Sequence, residues 1–448
     1  MKKKKKVRRV VSKQKIFCFI SFIFILTCCF WYGGRFVYFY LDNKKATSSS
    51  QETFGNNLKL ANHKESTFRK DGDVYYFYQD AKNNYLVYSN LVWRIVKINK
   101  DESITLISND VITNLAYGLN NLSYEKSPII HWMNKDDTDK NNGMLEKNLD
   151  DISSYLVKNS ICTDTISDIE KITCNDVNDD YYLGLLSVED YVKTGGKKSF
   201  VNNGQSSYLA NLNSSDKIWY VDNDGTLNQS LGDDILGVKV TITLSPSLQP
   251  KSGSGTEEDP YIIEDKAGYF ASYVKLGDDI WRVYDVLDDS VKLILNDYVK
   301  DTKDEKLQSV YSNSSYMHND TIYGSVAYYL NHTYLNSLSY KNNILNGYYY
   351  NGYYGEETEF GLKEMYAETV DTKVYLPSIG DVTFKNDLDN YFIATGIYKK
   401  SPSVYLYKSN SISTKKVTSE AYVVPCITIN KDILKNGNGT KDNPYTLE

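Results

Sequence analysis

The strongest constraint on what this chain can fold into is that most of it is written twice. NLVWRIV at 90–96 returns as DIWRV at 279–283, and each is followed by a β-branched run, ITLISND at 104–110 and VKLILND at 291–297. LLSVED at 185–190 is echoed by LPSIGD at 376–381, and VKVTITL at 238–244 by VVPCITI at 423–429. GSGTEEDPYIIE at 253–264 closes the first copy and GNGTKDNPYTLE at 437–448 the second. The block order is kept while the offset drifts by a few residues, as expected when insertions and deletions fall in the loops of one shared fold. The copies are placed at 67–264 and 265–448, each an ordinary domain size.

Each copy opens on strands. VYYFYQD, NYLVYSN, LVWRIVKI and SITLIS, between 74 and 108, alternate or run apolar with turn residues between them, which predicts a meander. Helices are expected from Pro128 and over 323–338, where apolar positions recur at helical spacing. Asp224-Gly225 predicts a hairpin tip. The expected class is α+β: a transmembrane helix followed by two strand-dominated copies of one mixed domain.

Residues 16–34 contain no charge, and nineteen residues at the helical rise match a bilayer core. The fifteen residues before them hold nine Lys or Arg and no acid, so the positive-inside rule places the N-terminus in the cytoplasm and the body outside. Trp31, Tyr32, Tyr38 and Tyr40 suit the outer interface. The segment reads as a single-pass signal anchor; cleavage after it would need a shorter apolar region and an A-x-A-like site. Residues 41–66 are polar and read as a stalk. Overall the chain carries 51 basic and 57 acidic residues. With the basic end removed the body is strongly acidic, which argues against a nucleic-acid partner.

With these blocks in hand, the copies resemble a family of bacterial extracellular domains of unknown function from low-GC Gram-positive bacteria. Its pattern runs W-R-(I/V), S-x-L-R-x-W-L-N, L-L-S-x-E-(E/D), W-L-R-S and G-V-R-P-A. The matching stretches are SPIIHWMN at 127–134, YLAN at 208–211 and GVKVT at 237–241, then SVAYYLN at 325–331, YFIAT at 391–395 and VVPC at 423–426. The family's later arginines are replaced by Ile130 or Ala327, Ala210 or Ala394, and Lys239 or Val424. An anion-binding role for those arginines therefore does not carry over. The layout is also similar to C-type-lectin-like and formylglycine-enzyme-like sheets, which implies a fold and not a function.

Enzyme signatures are missing. His63, His131, His318 and His332 form no H-E-x-x-H, and there is no G-x-S-x-G, no Walker loop and no G-x-G-x-x-G. No catalytic residue, metal ligand or cofactor is assigned. Glu189, Asp190 and Asp381 read as capping or turn residues rather than an acid/base pair. The alternating oxygens from Asp222 to Asp233 admit a calcium loop, but Leu227 stands where an EF-hand needs glycine, and a plain turn accounts for them. Cys162 and Cys174 are expected to close a short disulfide loop, with two unpaired thiols as the alternative.

Tyrosine is the compositional oddity, with 41 residues. Tyr348, Tyr349, Tyr350, Tyr353 and Tyr354 cluster with Gly and Asn at 346–355, a mixture suited to a recognition loop. AT-rich coding, which also raises Asn, Lys and Ile, and a self-packed loop are the alternative. Trp93, Trp132, Trp219 and Trp281 read as core. The expected protein is a cell-surface module pair that recognises a glycan, wall polymer or protein without catalysis. A surface glycan enzyme or a structural spacer are the rival readings.

Overall fold

The computed structural model describes residues 53–447 except 119–121, 136–142, 265–267, 314, 316–317, 351–352, 355–368, 385–387, 398–401 and 409–410. The predicted anchor at 16–34 lies outside the described residues. Among the described residues no helix is long and apolar enough to cross a membrane.

The body is strand-dominated, with several sheets and few, short helices. The central strands of the two copies correspond, while Val74–Phe77 of the first, expected beside Tyr85–Tyr88 in a meander, pairs instead with Leu91–Ile98. In the first, Tyr85–Tyr88, Leu91–Ile98, Ile104–Ser108 and Val240–Leu244 lie side by side, each antiparallel to the next, and Tyr261–Ile262 adds in parallel to Tyr85–Tyr88. In the second, Tyr273–Leu276, Asp279–Val286, Ser290–Leu295 and Cys426–Asn430 repeat that order, with Tyr445–Leu447 in parallel at the same edge. Even the irregularity is repeated: the second strand shifts register between Ile95 and Lys97 in one copy and between Val283 and Asp285 in the other. A smaller sheet accompanies each, built on Ser207–Ser214 with Lys217–Val221, and on Tyr391–Ile397 with Ser403–Lys408.

The repeated motifs have physical reasons. Trp93 and Trp281 have no exposed surface. The arginine after each tryptophan is held between two aromatic rings, Arg94 over Tyr85 and Phe200 at 3.8 and 4.9 Å, Arg282 over Tyr273 and Phe384 at 4.4 and 3.8 Å. In the closing motif, Gly253 and Gly437 have φ of 96° and 86°, and a Cβ on either would lie about 2 Å from the carbonyl oxygen of Pro260 or Pro444. That turn lets Gly255 and Gly439 accept the amides of Tyr85 and Tyr273, both at 2.8 Å, and returns the chain beside the first strand.

The helix from Pro128 runs Pro128–Met133, with Ser127 capping the Ile129 amide. In the second copy the helical segment starts later than 323, because Ser325 caps the Tyr328 amide. It continues from Val326–Tyr329 through a π turn at Leu330–Tyr334 to Leu335–Ser337. One expectation is corrected: part of the polar stalk, Phe54–Asn62, is a helix with Phe54 and Leu58 buried, and Phe54 packs edge-on against Tyr261 at 4.9 Å. Two apolar residues four apart suffice to bury one face of so short a helix.

The copies share one continuous core. Across the seam, Thr383 donates its amide to Ile112 at 2.9 Å, Trp132 its indole N–H to Gly380 at 2.9 Å, and Thr113 its hydroxyl to Asp381 at 2.9 Å. Asn148 clasps the second copy by donating to Asp285 at 3.1 Å and accepting from the Val286 amide at 2.7 Å.

Candidate functional site

The tyrosine segment divides by burial. Gly347–Tyr350 pairs antiparallel with Thr369–Thr372, so successive side chains point to opposite faces. Tyr348 is 70% exposed. Tyr349 is core: it stacks on Tyr375 at 5.0 Å and shares a 2.8 Å hydrogen bond with Thr428, so it is corrected from a ligand contact to a packing residue. Tyr353–Tyr354 pairs in parallel with Gly396 and Ile397. The side chains of Tyr350, Tyr353 and Tyr354 lie outside the described residues.

Cys162 and Cys174 are joined as a disulfide with Cα atoms 5.7 Å apart, and Cys426 is a free, buried thiol. Glu189 approaches the two sulfurs closely enough to suggest a metal triad, but sulfurs in a disulfide are not thiolate ligands. The Asp222 to Asp233 stretch is a hairpin turn at 222–226 followed by the return strand Leu227–Leu231. Gly225 takes φ 83°, Asp222 accepts from Ser206 and the Asn223 amide, and Asp224 pairs with Lys197 at 2.6 Å. Burial lowers the His318 imidazole to about 3, so it is neutral and not poised as a base.

What sequence reasoning missed is a concavity that the fold makes twice, at the mouth between the turn into the tryptophan strand and the end of the next one. In the second copy it has a volume of about 640 Å³ and is lined by Asp278, Asp279, Asp297, Tyr298 and Val299. The strand register makes these the counterparts of Asn90, Leu91, Asp110, Val111 and Ile112, because Trp93 faces Ser108 as Trp281 faces Leu295. Those five residues line a cavity of about 260 Å³ in the first copy. The two cavities differ in what faces them. The first is faced by Tyr273, Arg282, Thr383 and Phe384 of the second copy, whereas the second is completed by its own Lys300, Asp304, Tyr334 and Lys441. Residues of both copies complete the first concavity, whereas the second is built from its own copy alone. The only available signal was charge: NL at 90–91 becomes DD at 278–279.

A second divergence lies in the seam. In the first copy Lys97 pairs with Asp190 at 2.8 Å, and Tyr76 donates to the same carboxylate at 2.9 Å. The matching positions in the second copy are Asp285 and Asp381, two carboxylates. Asp285 recruits Lys147 of the first copy at 3.0 Å, with Lys292 at 3.9 Å. Asp381 keeps the Ser378 amide at 2.7 Å but lacks an ion-pair partner among the described residues, and burial raises it to about 6. Asp285 is thus matched by a cation across the seam, whereas Asp381 is left without an ion pair among the described residues. Compared with known proteins, the chain matches no family model, no curated protein and no solved structure.

Proposed function

We propose that this is a bacterial cell-surface receptor: a basic cytoplasmic segment, a single membrane helix at 16–34, and a tandem pair of extracellular α+β modules of the family described above. The modules bind a glycan, wall polymer or protein without catalysis. The observation that supports the reading is the duplicated concavity, lined in the first module partly by residues of the second and in the second module by its own residues alone. Its volume falls in the usual range for ligand sites, and its lining combines tyrosine faces with convergent carboxylates. The disulfide supports an oxidising exterior. Tyr348, exposed on the same module, is a further contact candidate.

The test uses the full-length protein. Surface labelling of intact cells should reach the body, and a body protected until the cells are lysed would overturn the topology. In detergent micelles the protein should bind isolated wall fragments or members of a glycan panel, with weaker binding after Asp278→Asn combined with Tyr348→Ala. Turnover of any of these would replace the receptor reading with the enzyme one.

A further inference from the structure

The two arginines that follow the repeated tryptophans are compensated differently. In the first module the guanidinium of Arg94 is met from within: Nε and Nη2 donate to the Asn84 side-chain oxygen at 2.9 and 2.6 Å, and Nη2 donates again to the Ala81 carbonyl at 2.6 Å. Glu257 lies close enough to favour its charged form. Tyr85 pairs with Arg94 as Tyr273 pairs with Arg282, so Asn84 corresponds to Ser272; in the closing motif Glu257 corresponds to Lys441. The second module has lost both the acceptor and the acid.

What remains around Arg282 does not fill its fork of five donors. Nε and Nη2 share the Ala271 carbonyl at 3.1 and 2.8 Å, and Nη1 reaches the Tyr273 hydroxyl at 3.4 Å. Ser272 turns its own hydroxyl to the carbonyls of Gly268 and Tyr269. One N–H on each terminal nitrogen is therefore left without an acceptor among the described residues, on a side chain only 9% exposed. A desolvated guanidinium without a counterion is costly. Independently of that count, Arg282 lines the cavity of about 260 Å³ at the seam, whose first-module wall includes Leu91, Val92 and Ile112. Asp110 lines it too, but its carboxylate accepts from Asn203 at 3.0 Å and Asn109 at 3.1 Å and forms no ion pair with Arg282.

We propose that this seam cavity binds a small organic monocarboxylate, its oxygens taking the unmet N–H groups of Arg282 and its apolar body lying against Leu91, Val92 and Ile112. The Nε–Nη2 edge of the fork is spent on Ala271, which leaves the Nη1–Nη2 end for a bidentate carboxylate. The volume admits a molecule of about amino-acid size. The charge of Asp110 disfavours a dianion such as phosphate. Because residues of both modules line the cavity, a bound acid also ties the modules together. The inference goes beyond the receptor reading, which concerns the second module's concavity and stands or falls without it. Two sources supply the group, a free short-chain acid and the C-terminal residue of a peptide.

The experiment titrates the full-length protein in detergent micelles with 4-methylpentanoate and with N-acetyl-leucine, against the neutral 4-methylpentanamide and N-acetyl-leucine amide. At least one acid should bind, roughly tenfold or more tighter than its amide and more weakly as salt rises. Binding of 4-methylpentanoate alone identifies a free acid, of N-acetyl-leucine alone a peptide C-terminus, and of both the carboxylate as sufficient. Val92, 41% exposed on the cavity wall, allows a charge test that spares the core. Val92→Glu should weaken the acid roughly tenfold or more relative to Val92→Gln, which has the same shape without the charge. Arg282→Lys keeps a charge but not the fork and should abolish the preference for acid over amide; if it does not fold, the Val92 pair still decides. Acid and amide binding alike, neither acid binding at millimolar concentration, or Val92→Glu binding like Val92→Gln overturns the proposal.

Discussion

Asp381→Asn should stabilise the protein at neutral pH. Its counterpart Asp190 is neutralised by Lys97, but the second copy has Asp285 at the lysine's position, so Asp381 has lost its counterion and gained a like charge. Burial, the larger cause, and Asp285 together raise its carboxyl from the ordinary 3.8 to about 6, against the opposing pull of Lys292. A raised carboxyl binds its proton more tightly folded than unfolded. Stability is therefore lost as pH climbs from about 4 to about 6 and stays lost above that. At 1.36 kcal/mol per pH unit the deficit at pH 7 is about 2–3 kcal/mol. The amide retains an oxygen for the Ser378 N–H and removes the charge. Reversible denaturant unfolding of parent and variant from pH 3.5 to 7.5 measures the difference directly. The variant should be more stable by about 2–3 kcal/mol at pH 7, with the gap closing below pH 4. A variant less stable at pH 7, or a gap independent of pH, would refute the reasoning.

Three further outcomes follow from the fold. Trp93→Ala and Trp281→Ala each remove a fully buried indole and should cost about 3–5 kcal/mol, read as a lowered unfolding midpoint; an unchanged midpoint would exclude a core role. Gly253→Ala and Gly437→Ala combine a left-handed φ with a Cβ driven into a proline carbonyl, so both should lower the melting temperature sharply, while Gly196→Ala, at positive φ but with open space, should be milder. Opening the Cys162–Cys174 bridge, which spans a separation of 12, should cost about 3 kcal/mol by loop entropy, checked by unfolding with and without reductant.

Much of the fold was legible because its signals are local. The paired blocks located the Trp-Arg strand, the strand after it and the late strand in both copies, since period-2 patterning and β-branched runs act within a few residues. The Trp-Arg block reads as core in both copies and lies there. The helix at 54–62 was missed because its buried face holds only two large apolar residues, Phe54 and Leu58, too few to register as periodicity in a polar stretch. The tyrosine segment shows the same limit: composition marked it, but only strand pairing separates exposed Tyr348 from buried Tyr349.

By itself, then, the sequence determined the duplication, the strands that carry its paired blocks and the tryptophan cores, because each depends on the chemistry of neighbours along the chain. Tertiary structure alone decided that Lys147 would answer Asp285 from 138 residues away across the seam, and that one of two equivalent concavities would be faced by Arg282 while the other is lined by its own copy alone. Those outcomes depend on which surfaces meet when two copies of one fold pack against each other. Burial and Coulomb energy are set there by groups that no local pattern brings together.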